Sequence, residues 1–277
     1  ALARAAGDPK SYSPADELFT TDRSQVYGVL LHPRGRRYGE EINGSRKSGW
    51  GNGQNRDFQQ TPPFVALATD APLAEAIREG LVRGHMSSAV PVAARSEQMA
   101  FWMREIVEIT LLDFIFSQQD RIGNVDYLRY WYWVEDGRVR RAPAAGSHPP
   151  EEIARSSPRL IKRTELGDND AGVRTTYLNY TQRTGMLERL RHYAAGTYRR
   201  LIALDADFGS RGPLHEYVRS TFGLTDAEFA RIVGNTRQAA SILREACGTG
   251  RLRFDLEPEM LLLDGEVTPA KVDCGNP

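Results

Sequence analysis

The chain has 277 residues, enough for one large domain or two smaller lobes around a real core. Thirty-six Lys and Arg balance thirty-six Asp and Glu, so no global field directs it to nucleic acid or to an anionic membrane. No apolar run approaches the roughly eighteen residues of a membrane-spanning helix, which argues against a transmembrane segment.

The chain begins ALARAAGDP without an initiator Met, so removal of a leading segment is expected, with a secreted or extracytoplasmic product as one outcome. After an irregular start, VYGVLL at 26–31 reads as a strand because β-branched and aromatic residues cluster there. Residues 34–63 are rich in Gly, Asn, Arg and Gln and show no sustained period, which predicts a long loop or a ligand-facing segment. Within it, RGRRYGEEINGSRK offers Arg34, Arg36, Arg37, Arg46 and Lys47 to a phosphate or an acidic substrate, while the interspersed Glu suits a solvated loop equally well. APLAEAIREGLVRG, 71–84, reads as a short helix that stops at Gly.

The strongest helical pattern is SEQMAFWMREIVEITLLDFIFSQQ, with Ser96 as N-cap and Ile106, Ile109, Leu112 and Ile115 on a buried stripe. YLRYWYWVEDGRVRR alternates aromatic and polar residues around Asp-Gly, the signature of a hairpin. Its aromatics, Tyr130, Trp131, Tyr132 and Trp133, suit packing or the lining of a pocket. A loop over 142–158 and a strand in PRLIKRTE follow, and then an acidic cluster, DNDAGV. From Thr184 to the middle 240s the pattern is helical throughout, with a capping box from Thr225 to Glu228. Cys247 and Cys274 lack C-x-x-C spacing and suit either one bridge tying down the C-terminal tail or two separate thiols. The five histidines show no pair at metal-ligand spacing, which disfavours a zinc hydrolase. Together the elements predict an α+β protein with a mixed N-terminal segment, 1–95, and a mostly helical part, 96–277.

Two polar clusters stand where regular elements stop: Asp120, Arg121 and Asn124 after the long helix, and Asp168, Asn169 and Asp170 after a strand. Each also has a plain reading, the first as a helix-terminal ion pair and the second as an Asx turn. Carboxylate and amide oxygens are the hard ligands that Mg²⁺ and Mn²⁺ prefer.

LLDFIFSQQDRIGN resembles the catalytic loop of the atypical protein-kinase-like superfamily, which includes secreted Golgi casein-kinase-type, HipA-like and phosphatidylinositol-kinase-like enzymes. In these an apolar helix runs into N-x-D-R, and DNDAGV resembles the D-N-G-x-G-F stretch that supplies their metal-binding Asp. The resemblance covers roughly residues 100–245. It departs at Gln118, where these families carry Asn, at Ile122, where many carry His, and at Asp170, which replaces the Gly of D-N-G. It implies a two-lobed kinase-like fold with a helical C-lobe and a reduced or incomplete N-lobe, ATP and Mg²⁺ or Mn²⁺ as cofactors, and a hydroxyl on a protein, sugar or lipid as acceptor. Carried over by position, Asp120 acts on the acceptor hydroxyl, Arg121 fixes the loop, and Asp168 holds metal with Asn124 and Asp170. For the nucleotide the chain offers GWGNG at 49–53, Lys47, and Glu40, Glu41 or Glu97 as its partner. The alternative is a catalytically inactive kinase-like binding or structural protein.

Overall fold

The computed structural model describes residues 35–83, 95–166, 171–263 and 265–275, so the strand expected at 26–31 and the side chains of Asp168 and Asp170 lie outside the described residues. Residues 34–277 make one compact unit of mixed α and β structure.

The stretch expected to be loop is instead a chain of short elements: β1 (Arg36–Arg37), α1 (Glu40–Asn43), α2 (Asn52–Phe58) and α3 (Pro62–Ala68). None is long enough to show a period, and α1 and α2 bury amides as well as carbon, among them Asn43, Gln54 and Asn55, so hydropathy does not reveal them. α4 (Leu73–Arg83) is the helix read at 71–84. α5 (Arg95–Phe116) runs for 22 residues through the centre of the unit. It already includes Ser96, which is therefore not its N-cap. Ile106, Ile109 and Ile115 are buried as expected, but Leu112 is 43% exposed.

β2 (Asp126–Glu135) and β3 (Arg138–Pro143) form the hairpin read around Asp-Gly. Asp136 and Gly137 both take left-handed φ, 49° and 67°, as a two-residue hairpin turn that matches strand twist requires. The loop that follows holds one helical turn, α6 (Glu151–Ala154), before β4 (Arg159–Glu165). β2 is the central strand of the antiparallel sheet: β4 pairs with it from Asp126 to Tyr132, and β1 and β3 also pair with it. α5 is tied to β4 by polar bonds. Gln98 brackets the backbone of Lys162, donating to its carbonyl at 2.9 Å and accepting from its amide at 2.7 Å. Glu105 accepts from Arg163 and from the amide and hydroxyl of Thr164, at 3.1 and 2.8 Å. Burial pushes the Glu105 carboxyl up and Arg163 opposes it.

After α7 (Tyr180–Arg183), the region from Thr184 expected to be continuously helical is broken into α8 (Met186–Arg189), α9 (Ala195–Ser210), α10 (Pro213–Thr221) and α11 (Asp226–Gly248), and α12 (Pro258–Leu263) follows. The break at Leu190–Ala194 arises because that backbone bonds outside itself. Arg191 donates to Leu67, Tyr193 donates to Arg253, and the buried His192 ring lies 2.9 Å from Asp255 and 3.1 Å from the Thr69 carbonyl.

Thr225 and Glu228 make the capping box read in the sequence. Thr225→Ala should cost about 1 kcal/mol, read as a lower urea midpoint at unchanged slope. Cys247 and Cys274 are bridged across a separation of 27 residues. In the chain-entropy account a loop of that size stabilises the fold by about 3.5 kcal/mol.

Candidate functional site

The helix α5 ends by design of its neighbours rather than by a glycine stop. Ser117 takes φ 52° and is buried, and Asn235 of α11 donates to both the Ile115 carbonyl, at 2.9 Å, and the Ser117 hydroxyl, at 3.0 Å. The chain then turns through Gln118–Val125. Gln118 accepts from the Asp120 amide at 3.2 Å, and Asn124 donates from its side chain to the Asp120 carbonyl at 2.8 Å. Asp120 is half-buried, and its carboxylate makes no hydrogen bond or ion pair with another described residue, which leaves it available to a ligand.

Arg121 turns inward. Its guanidinium bonds both oxygens of Asp113, at 2.9–3.1 Å, with both side chains buried. Burial pushes the Asp113 carboxyl up to about 6, against the opposing pull of Arg121. This pair ties the loop to the last turns of the helix that carries it.

Three further residues clamp the loop from outside, and motif reading did not single out their role. Asn43 donates to the carbonyls of Tyr38 and Val125, at 2.8 and 3.0 Å, and accepts from the amides of Gly123 and Val125, both at 3.1 Å. Arg46 donates to the Ile122 carbonyl, and Arg37 donates to the Gly123 carbonyl, to Asp126 and, at 2.8 Å, to the side-chain oxygen of Asn124. Two of the cations offered for phosphate binding thus hold loop carbonyls. Gly123 has φ 87°, a left-handed conformation that favours glycine, and a Cβ there would displace the Arg46 guanidinium from its place beside the loop.

Asp168 and Asp170 lie outside the described residues, but the chain on their C-terminal side is well anchored. Gln119, the residue before Asp120, donates its amide to the carbonyl of Ala171 at 3.0 Å, and Val173 donates to the Phe116 carbonyl. Gly172 lies against the same turn, where a Cβ would meet Phe116 at 3.4 Å. The chain leaving the second acidic cluster therefore runs along the turn that presents Asp120.

Of the residues expected to bind nucleotide, Lys47 shares a cavity with Glu40 and Glu41 but not with Glu97. Lys47 is exposed and lines a cavity of about 540 Å³ with Glu40, Glu41 and Asp57. Glu97 lies 3.6 Å from Arg159 and lines a different cavity, of about 220 Å³, beside Tyr132 and Trp133. Of the hairpin aromatics, Trp131 and Tyr132 are core, and Tyr132 packs on Phe101 at 5.0 Å between ring centres.

For Mg²⁺ or Mn²⁺ the donors fit in part. Asp120 offers a carboxylate without a described partner, whereas the Asn124 oxygen is occupied by Arg37 and becomes a ligand only if that bond opens. Among the described residues, no three His, Cys, Asp or Glu side chains converge as a metal site. The chain matches no protein-family model, no curated protein and no solved structure.

Proposed function

We propose that the protein is an ATP- and divalent-metal-dependent phosphotransferase of the atypical kinase type, with a two-lobed kinase-like architecture and a hydroxyl acceptor. The observation that supports this reading best is the bond from the Gln119 amide to Ala171, which ties the chain beside the acidic cluster to the residue preceding a half-buried carboxylate without a described partner. Sequence order adds to it: a buried helix, a D-R-x-x-N loop, antiparallel strands and then D-N-D. Asp120 accepts the acceptor's proton or orients its hydroxyl. Asp168, with Asp170, holds a cation that, when bound, neutralises charge on the phosphates. Arg121 acts as a positioning residue, seating the loop through Asp113.

The second reading, a kinase-like protein that binds without catalysis, draws on the separation of Lys47 from Glu97 and on the engagement of Asn124 by Arg37. Melting curves separate the two. A ligand that binds only the native state at a hundred times its dissociation constant stabilises it by about 2.7 kcal/mol. ATP with Mg²⁺ or Mn²⁺ should raise the melting temperature, and ATP alone should do so much less. If neither cation with millimolar ATP moves the transition, the non-catalytic reading replaces the enzyme.

A further inference from the structure

The last four carbonyls of a helix have no partner inside it, and those of α5 are all met by groups outside it. The Gln118 amide donates to Asp113 at 3.1 Å, the Asn179 side chain to Phe114 at 2.7 Å, Asn235 to Ile115 at 2.9 Å, and the Val173 amide to Phe116 at 2.6 Å. Two of these donors, Val173 and Asn179, belong to the stretch that leaves the second acidic cluster, so the helix end and that stretch form one hydrogen-bonded unit. The stretch carries strain: Val173 is β-branched and takes φ 70°, a conformation that its neighbours must impose. Between these two anchors, among the described residues, the hydrogen bonds that tie 174–178 to another element come from one side chain. Arg231 spreads its guanidinium over two carbonyls, donating to Arg174 at 2.6 Å and to Tyr177 at 2.5 Å. Arg231, Asn235 and Gln238 share one face of α11, and Gln238 accepts from Gln182 of α7 at 2.6 Å.

We infer that Arg231 and Asn235 are positioning residues for Asp120, acting through two segments that α11 holds side by side. Asn235 fixes the first at Ile115 and Ser117, and Arg231 fixes the second at Arg174 and Tyr177. The bonds from Val173 to Phe116 and from Gln119 to Ala171 then lock the segments together, the latter one residue before the carboxylate. The planar guanidinium suits this task, because its fork holds both carbonyls in one geometry, which a rotating ammonium on a flexible stem does not. The inference rests on the phosphotransfer reading, which gives Asp120 its role.

Steady-state transfer by the whole protein tests this, with every variant first shown by circular dichroism to be folded at the assay temperature. Arg231→Met should lower kcat by about 10–100-fold and leave KM for ATP within about twofold, because a displaced carboxylate is lost to the transition state and not to nucleotide binding. Arg231→Lys keeps the charge without the fork and should recover little of the rate. The decisive comparison is a double-variant cycle: in an Asp120→Asn background, Arg231→Met should slow transfer by less than about twofold, since nothing remains for it to position. If Arg231→Met does not fold, Arg231→Lys and Asn235→Ala enter the same cycle. Losses that multiply in the double variant, or a full rate in the folded single variant, overturn the assignment and leave Asp120 in the chemistry. A full rate in Asp120→Asn, or a parent without turnover, overturns the phosphotransfer reading and this assignment with it.

Discussion

Asp120→Asn should reduce phosphotransfer by about 10²–10⁴-fold while leaving the affinity for ATP and metal nearly unchanged, because a group that takes or orients a proton contributes to the transition state rather than to the bound ground state. The substitution keeps the side chain's size. The described contacts of this residue are backbone ones, from its amide to Gln118 and from Asn124 to its carbonyl, so the loop has no reason to move. Asp168→Asn should behave differently: it removes charge that would hold the cation, so metal-dependent nucleotide binding and turnover should fall together. Steady-state transfer measured beside calorimetric titration of ATP with Mn²⁺ resolves the two. Parallel loss of binding in both variants would assign Asp120 to the metal, and unchanged turnover in both would remove these residues from the chemistry.

What the sequence reveals about this site depends on the distance over which each contact is made. α5 and the β2–β3 hairpin are legible because a period of three to four, or of two with Asp-Gly between, is a local property. Leu112 follows the same period as Ile109 and yet lines a shallow groove with Leu201 and Leu204, since periodicity tells which face is apolar but not how completely a neighbouring helix covers it. The D-R-x-x-N loop is visible as a motif, but its support is not. Asn43 reaches Gly123 across eighty positions, and a lone Asn between Ile and Gly carries no signal that its amide will bridge two segments of backbone. Arg37 and Arg46 were readable as cations, and their use on carbonyls rather than phosphates is decided by the fold alone. Lys47 and Glu97 illustrate the opposite limit: residue types suited to a pair were present, and the fold sends them to separate cavities.

The largest loss of stability is expected from Asp113→Ala. A guanidinium cannot discharge in the working pH range, so Asp113→Ala removes one side of a buried ion pair while the other stays charged, at a cost of about 3–5 kcal/mol. The reverse deletion, Arg121→Met, is milder in acid because Asp113 can take up a proton. In the parent the folded-state pKa of Asp113, about 6, exceeds its ordinary value of 3.8. The folded form therefore binds the proton more tightly than the unfolded one, and the stability gained from that proton is full below the ordinary value and lost as pH rises through the folded one. Without the opposing guanidinium the folded value moves higher still and the window widens upward. Arg121→Met should accordingly be closer to the parent at pH 4.5 than at pH 7.5, whereas Asp113→Ala should be impaired at both, in urea midpoints measured at each pH. Equal losses for the two variants at both pH values would mean that the pair does not set the energetics of the loop. If the asymmetry holds, both variants should also lose transfer activity at temperatures where they remain folded, because Asp113 and Arg121 join the helix to the loop that presents Asp120, and even a small displacement of a reacting carboxylate is enough to slow the chemistry.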